Sequence, residues 1–194
     1  MKKLIAVMLL LAMALSMAAC GGETDPKGTD APQQTNAPQV QGPASALEAL
    51  QKIWELYGEE DAFFAMGGDM DHMVDGNPGS YDMSKKADLE YQLYIPADQL
   101  VNVDEAATLI HGMNANTFTG AALHVTSDTA AFAKAARDAI LGNQWMCGFP
   151  DKLVIADLGG GYVIVSFGQV MDVFEAKLKE AYPNANVLYS EPIV

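Results

Sequence analysis

The densest concentration of side chains able to do chemistry lies between Glu59 and Met83, where Asp69, Asp71, His72 and Asp75 are interleaved with Met70 and Met73. Carboxylates at alternate positions followed by glycine would make a calcium loop of the form D-x-[DN]-x-[DN]-G. Met73 stands where the acid between Asp71 and Asp75 is required, so the pattern fails. Thioethers beside an imidazole suit Cu(I), and Met70, His72 and Met73 are close in sequence. Methionine, however, fills irregular apolar gaps far more often than it binds metal. Met70, Asp71, His72, Met73 and Asp75 are therefore read as an interaction surface within the glycine-punctuated segment 67–81, with no metal and no cofactor. An irregular connection with a solvated acidic rim would carry the same letters.

Other constellations fall short of a reaction. Gly159-Gly160-Gly161 lies between two expected strands, whereas a phosphate loop leads from a strand into a helix. Trp145-Met146-Cys147-Gly148-Phe149-Pro150 lacks the second cysteine of a redox pair, which makes Cys147 a small buried hydrophobe. Ser166 has Ile164 where a G-x-S-x-G elbow needs glycine. His124, on a strand, is without a nucleophile at telling spacing, though a fold could bring Ser127 or Cys147 to it. His111 and His124 on paired strands would offer two imidazoles and no third zinc ligand. Glu59-Glu60-Asp61 reads as a solvated helix edge rather than a glycosidase pair.

The elements that must position these groups begin after a secretory signal. Lys2 and Lys3 precede an apolar run from Leu4 to Leu15, too short for the roughly 20 residues of a bilayer-crossing helix. Ala18-Ala19-Cys20 resembles a lipobox, with Met17 in place of the usual Leu. Residues 1–19 are thus expected to be removed and Cys20 lipidated, which would hold the protein to the membrane, facing outward. Removal of Lys2 and Lys3 moves the formal charge from -14 to -16. Phosphate backbones would repel such a chain, so nucleic acid is not an expected partner. Residues 20–43 are rich in Gly, Thr, Pro, Gln and Asn and read as a disordered tether with a reach of about 25 to 30 Å. Residues 44–194 read as one globular domain. With Cys20 lipidated, Cys147 has no disulfide partner within the chain.

Within that domain, Ser45-Ala46-Leu47-Glu48 reads as a capping box opening a helix from Ala46 to Tyr57. A short helix is expected over Lys85–Tyr94, with one further turn at Pro96–Leu100. Two strand-strand-helix units follow. The first has strands over Asp104–Met113 and Phe118–Val125 and a helix after Ser127 or Asp128. The second has strands over Lys152–Asp157 and Tyr162–Phe167 and a helix stopped before Pro183. Asn186–Ser190 would add an edge strand. The fold class is α+β: a mainly antiparallel sheet of about four strands, the two repeat helices on one face, and additional N-terminal helices. Tyr162–Phe167, nearly all apolar, is expected at the centre, covered on both sides.

The segments VDEAATLIHGMNANTFTGAALHV and CGFPDKLVIADLGGGYVIVSFG, behind a lipobox and a polar tether, resemble an uncharacterised lipoprotein domain family of Gram-positive gut bacteria. The matching positions are Asp104 and Glu105, Phe149-Pro150, and Gly161-Tyr162-Val163, within Lys85–Gly168; Thr119-Gly120 departs from the acid pair common there. The resemblance implies a lipid-anchored domain and carries over no catalytic residue. The expected function is a non-catalytic interaction or ligand-capture module, its partner an envelope protein or a small ligand. The alternative is a secreted hydrolase whose site is assembled from distant residues.

Overall fold

The computed structural model describes residues 42–145 and 149–194. The signal segment, Cys20, most of the tether and Cys147 lie outside the described residues. Helix α1 spans Ala46–Trp54. Three short strands follow, β1 (Ala65–Gly67), β2 (Val74–Asp75) and β3 (Gly79–Ser80). A 3-10 helix at Met83–Asp88 then leads into α2 (Leu89–Leu93) and α3 (Ala97–Leu100). The remainder alternates β4 (Val103–His111), β5 (Phe118–Val125), α4 (Thr129–Gly142), β6 (Lys152–Gly159), β7 (Tyr162–Gly168), α5 (Met171–Ala181) and β8 (Asn186–Pro192).

The α+β class stands, but the expected four-strand sheet with two helices on one face does not. Among the described residues there is one antiparallel sheet of 8 strands, in the order β2-β1-β4-β5-β7-β6-β8, with β3 also paired to β4. Helices cover both faces. Ala121, Leu123 and Val125 of β5 and Val163, Val165 and Phe167 of β7 share a core with α2 and α4. Phe118 and Ala122 of β5 and Ile164 of β7 share the other core with α1 and α5. Successive side chains of a strand point to opposite faces, so these two sets fill two separate cores.

The two repeat helices therefore pack on opposite faces, because the chain leaves β5 and β7 differently. After β5, the Thr126 amide and hydroxyl both donate to the Asn102 carbonyl, and Asp128 then caps α4. After β7, the Gln169 and Val170 amides both turn onto the Thr117 carbonyl. The repeat is one of element order alone. The additional strands β1 to β3 have no alternating pattern of their own; β1 and β3 form against the edge of β4, and β2 forms against β1.

At the helix ends the caps are local. Ser45 Oγ accepts from the Glu48 amide at 3.0 Å. The Glu48 carboxylate takes the Ala44 amide rather than closing the box on Ser45, and Glu105 accepts from the Ala46 amide at 2.9 Å. Helix α1 stops at Trp54, short of the expected Tyr57, because Leu56 and Tyr57 donate to Ile53 and Trp54 in a tightened last turn. Asp128 accepts from the amides of both Ala130 and Ala131. Asp128→Ala is expected to cost about 1 kcal/mol, read as a fall in the urea midpoint with an unchanged slope. The β6–β7 turn is Gly160-Gly161, both at positive φ (62° and 87°), as a two-residue type I′ turn requires.

Helix α5 is tied to the sheet by Glu175, whose carboxylate receives Lys152 at 2.7 Å, Lys179 at 2.6 Å and the Ser190 hydroxyl at 2.8 Å. Burial alone would raise its pKa, but these donors outweigh burial and lower it from 4.5 to about 2. A depressed folded-state pKa contributes stability that is complete above the unfolded value and is lost as pH falls towards the folded one. Stability should therefore decline as pH falls from 4.5 towards about 2. Glu175→Gln should be less stable than the wild type at neutral pH and show a shallower acid limb in a melting-temperature profile.

Candidate functional site

The segment expected to be an interaction surface is locked by glycine. A Cβ on Gly67 would lie 2.2 Å from the Gly79 amide nitrogen, and one on Gly79 would lie 2.5 Å from that of Gly68. The two backbone runs therefore cross in direct contact, which only glycine allows. The Thr108 hydroxyl donates to the Gly68 carbonyl at 2.8 Å, and Trp54 Nε1 donates to the Gly76 carbonyl at 2.9 Å.

Directly after this crossing, Asp69 is buried at 3 % exposure. One of its oxygens accepts from the Asp71 amide at 2.9 Å and from Lys85 Nζ at 3.1 Å. The other takes the Asp82 amide and His72 Nδ1. Burial works to raise the Asp69 pKa, but the donors from Asp71, Lys85, His72 and Asp82 outweigh it and hold the carboxyl well below its usual range. Asp71 and Asp69 in turn hold the Lys85 ammonium above its usual value. Asp69, Asp71 and His72 are thus the internal fastening of the loop. Among the described residues, no group of three His, Cys, Asp or Glu side chains is arranged to hold a metal.

Beneath the loop lies a cleft of about 520 Å³. Its floor is Met66 and Ile110, which are register partners on β1 and β4, with Gly112 beyond them. One wall is Tyr81 with Asp88, Tyr91 and Gln92 around α2; the other is Gly68, Asp69, Met70 and Met73. Gly112 leaves room for its neighbours, since a Cβ there would lie 2.6 Å from the Phe64 ring and 3.0 Å from Met66 Cγ. Several large apolar side chains in this region are exposed: Met70 (82 %), Tyr91 (78 %), Phe64 (54 %) and Met73 (52 %). Apolar side chains so exposed and so close together mark binding surfaces more often than chance surface placement does.

Of the five expected surface residues, Met70 and Met73 line the cleft. Asp71 and His72 act through Lys85 and Asp69, while Asp75 pairs with Met66 in the β1–β2 ladder. Tyr81, the last residue of the expected segment 67–81, also lines it, whereas sequence reasoning missed Met66, Asp88, Tyr91, Ile110 and Gly112. A signal was present at Tyr91, an aromatic residue midway between the two inward leucines of a single helical turn, Leu89 and Leu93.

His111 borders the cleft, but its ring stacks on Phe63 with centroids 5.5 Å apart, and its Nδ1 accepts from the Met113 and Asn114 amides. His124 stands at the opposite end of the β4–β5 hairpin. Its register partners are Glu105 and Tyr162, so the two histidines share no site. His124 Nδ1 is 2.6 Å from Asp104, and the neighbouring Tyr162 hydroxyl donates to Glu105 at 3.0 Å. Burial first, and then that hydrogen bond, push the Tyr162 hydroxyl up to about 12. Ser166 is buried and donates to the Val154 carbonyl at 2.9 Å, which makes it a core hydroxyl. Among the described residues, no serine, threonine or cysteine is hydrogen-bonded to His124. Asp61 lies 3.7 Å from Lys177, at the base of α1 rather than in the cleft.

Among the described residues, no helix is long and apolar enough to cross a membrane. No family model, curated protein or solved structure matches the chain.

Proposed function

We propose that this protein is a lipid-anchored extracytoplasmic domain that captures a ligand in the cleft between β1, β4 and α2 without transforming it. The cleft itself carries the reading. Its volume lies within the roughly 300 to 1,000 Å³ of small-molecule sites, its floor is apolar, and the buried carboxylate in its wall, Asp69, is fastened to Lys85, His72 and the backbone. Catalysis would need a nucleophile, a base and an oxyanion site in mutual reach. Among the described residues the cleft is lined by no such set, and the His124–Asp104 pair lies at the other end of β4.

The position of the N-terminal entry supports the same reading. A Cβ on Gly42 would lie 2.2 Å from the Gly159 carbonyl oxygen, so the chain enters the domain against the β6–β7 turn. Glu105 and Tyr162 hold that entry, whereas the cleft opens beside Ile110 and Gly112. The six residue steps along β4 from Glu105 to His111 separate the two by about 20 Å. The chain thus enters the domain at the end of β4 remote from the cleft. High local concentration at the surface favours capture.

Anchoring is tested by detergent phase partitioning, in which the wild type should enter the detergent phase and Cys20→Ala the aqueous phase. A wild type that stays in water contradicts the anchor. Capture is tested by thermal shift with a neutral apolar probe, 4-phenylbutan-1-ol. The probe should raise the melting temperature of the wild type and leave that of Ile110→Asp unchanged; an equal rise in both contradicts the site.

A further inference from the structure

The charge around the cleft is one-sided. Three carboxylates, Asp69, Asp71 and Asp88, are set against one ammonium, Lys85, which is already shared between Asp69 and Asp71. The adjacent Lys86 is turned away, donating to the Val103 carbonyl. Asp88 lines the cleft and is exposed, and it stands at the start of α2 without capping it. Among the described residues its carboxylate has neither a hydrogen bond nor an ion pair. Its field nevertheless reaches the cleft wall: burial first, then Asp88 and Asp69, raise the pKa of the Tyr81 hydroxyl.

Tyr91 follows Asp88 by three residues, the spacing at which side chains on a helical turn are neighbours, and its ring is exposed. A free carboxylate beside an accessible aromatic face is a pair of features that both attract cations. Behind them lie the polarisable thioethers of Met66, Met70 and Met73, which adapt to apolar bodies of varied shape. An anionic ligand would meet Asp88 at the mouth and find Lys85 already taken.

We propose that the cleft takes a small organic cation, an amphiphile whose apolar body lies on Met66, Met73 and Ile110 and whose ammonium group pairs with Asp88 beside the Tyr91 ring. This rests on the cleft being the capture site. The probes are 4-phenylbutylamine, 4-phenylbutan-1-ol and 4-phenylbutyrate, which differ only in the end group. They are titrated calorimetrically into the full chain carrying Cys20→Ala, which keeps detergent out of the measurement.

The amine should bind about tenfold tighter than the alcohol, and the butyrate more weakly than either. Asp88→Asn should remove most of the amine's advantage and leave the alcohol's affinity unchanged, and 0.5 M salt should shrink the same advantage. Equal affinities for amine and alcohol would overturn the cation assignment while leaving capture intact. An amine advantage that survives Asp88→Asn would overturn the role of Asp88. If none of the three probes binds, the capture reading falls together with this one.

Discussion

Gly79→Ala should destabilise the domain by about 3 kcal/mol, lowering the melting temperature by roughly 6 to 12 °C for a domain of this size. The added Cβ would meet the Gly68 amide nitrogen at 2.5 Å and the Gly67 carbonyl carbon at 2.7 Å. Both are backbone atoms, so no side-chain rotation relieves the clash. The Gly67–Gly68 run and Gly79, each paired to β4, must then move apart, displacing Asp69, Met70 and Met73 and hence one wall of the cleft. Gly76→Ala is the matched control. It sits at a φ of 70° with nothing within 4 Å of the new Cβ, so it should cost only the left-handed backbone strain, about 1 kcal/mol. Probe binding should be lost in the first variant and kept in the second.

Phe118→Ala should cost about 4 kcal/mol, within the range for truncating a fully buried aromatic side chain. Phe118 is 0 % exposed and sits between Phe63 and Phe174, with centroids 5.2 and 5.0 Å away. It joins α5, the sheet and the stretch leading into β1, so its loss leaves a cavity that no single element can collapse to fill. Phe64→Ala, one residue from Phe63 in sequence but 54 % exposed, should change stability by less than about 0.5 kcal/mol. Denaturant unfolding of the pair distinguishes the two roles. Equal effects would mean that Phe64, too, belongs to the core.

The contrast between Phe63 and Phe64 shows where the sequence was legible. The four long strands announce themselves by apolar runs and turn glycines, and α4 and α5 by their apolar spacing and their stops at Gly142 and before Pro183. What could not be read was which face each helix covers. That depends on the Thr117 carbonyl collecting the Gln169 and Val170 amides, a contact between residues about 50 positions apart in the sequence but adjacent across β5 and β7.

The cleft was half legible for a related reason. Met70 and Met73 stood out as exposed candidates because the local letters are irregular. Met66, Ile110, Tyr81 and Asp88 join them only through the β1–β4 register and the placement of α2. The acids Asp69 and Asp71 drew a metal hypothesis by their spacing, and it is Lys85, distant in sequence, that takes their charge. His124 and Asp104 are a comparable case, since strand pairing alone brings them together, near Tyr162 and away from the cleft.

The central claim is that the cleft between β1, β4 and α2 is where this protein takes its ligand, and methyl-labelled methionine NMR tests it most directly. Met66, Met70 and Met73 line the cleft, while Met171 is buried in the opposite core with α1 and α5. Titration of 4-phenylbutan-1-ol should shift the Met66, Met70 and Met73 methyl signals together, with one common affinity, and leave Met171 in place. Shifts at Met171 without shifts at Met66 and Met73, or none at all at the three cleft methionines, would contradict the account.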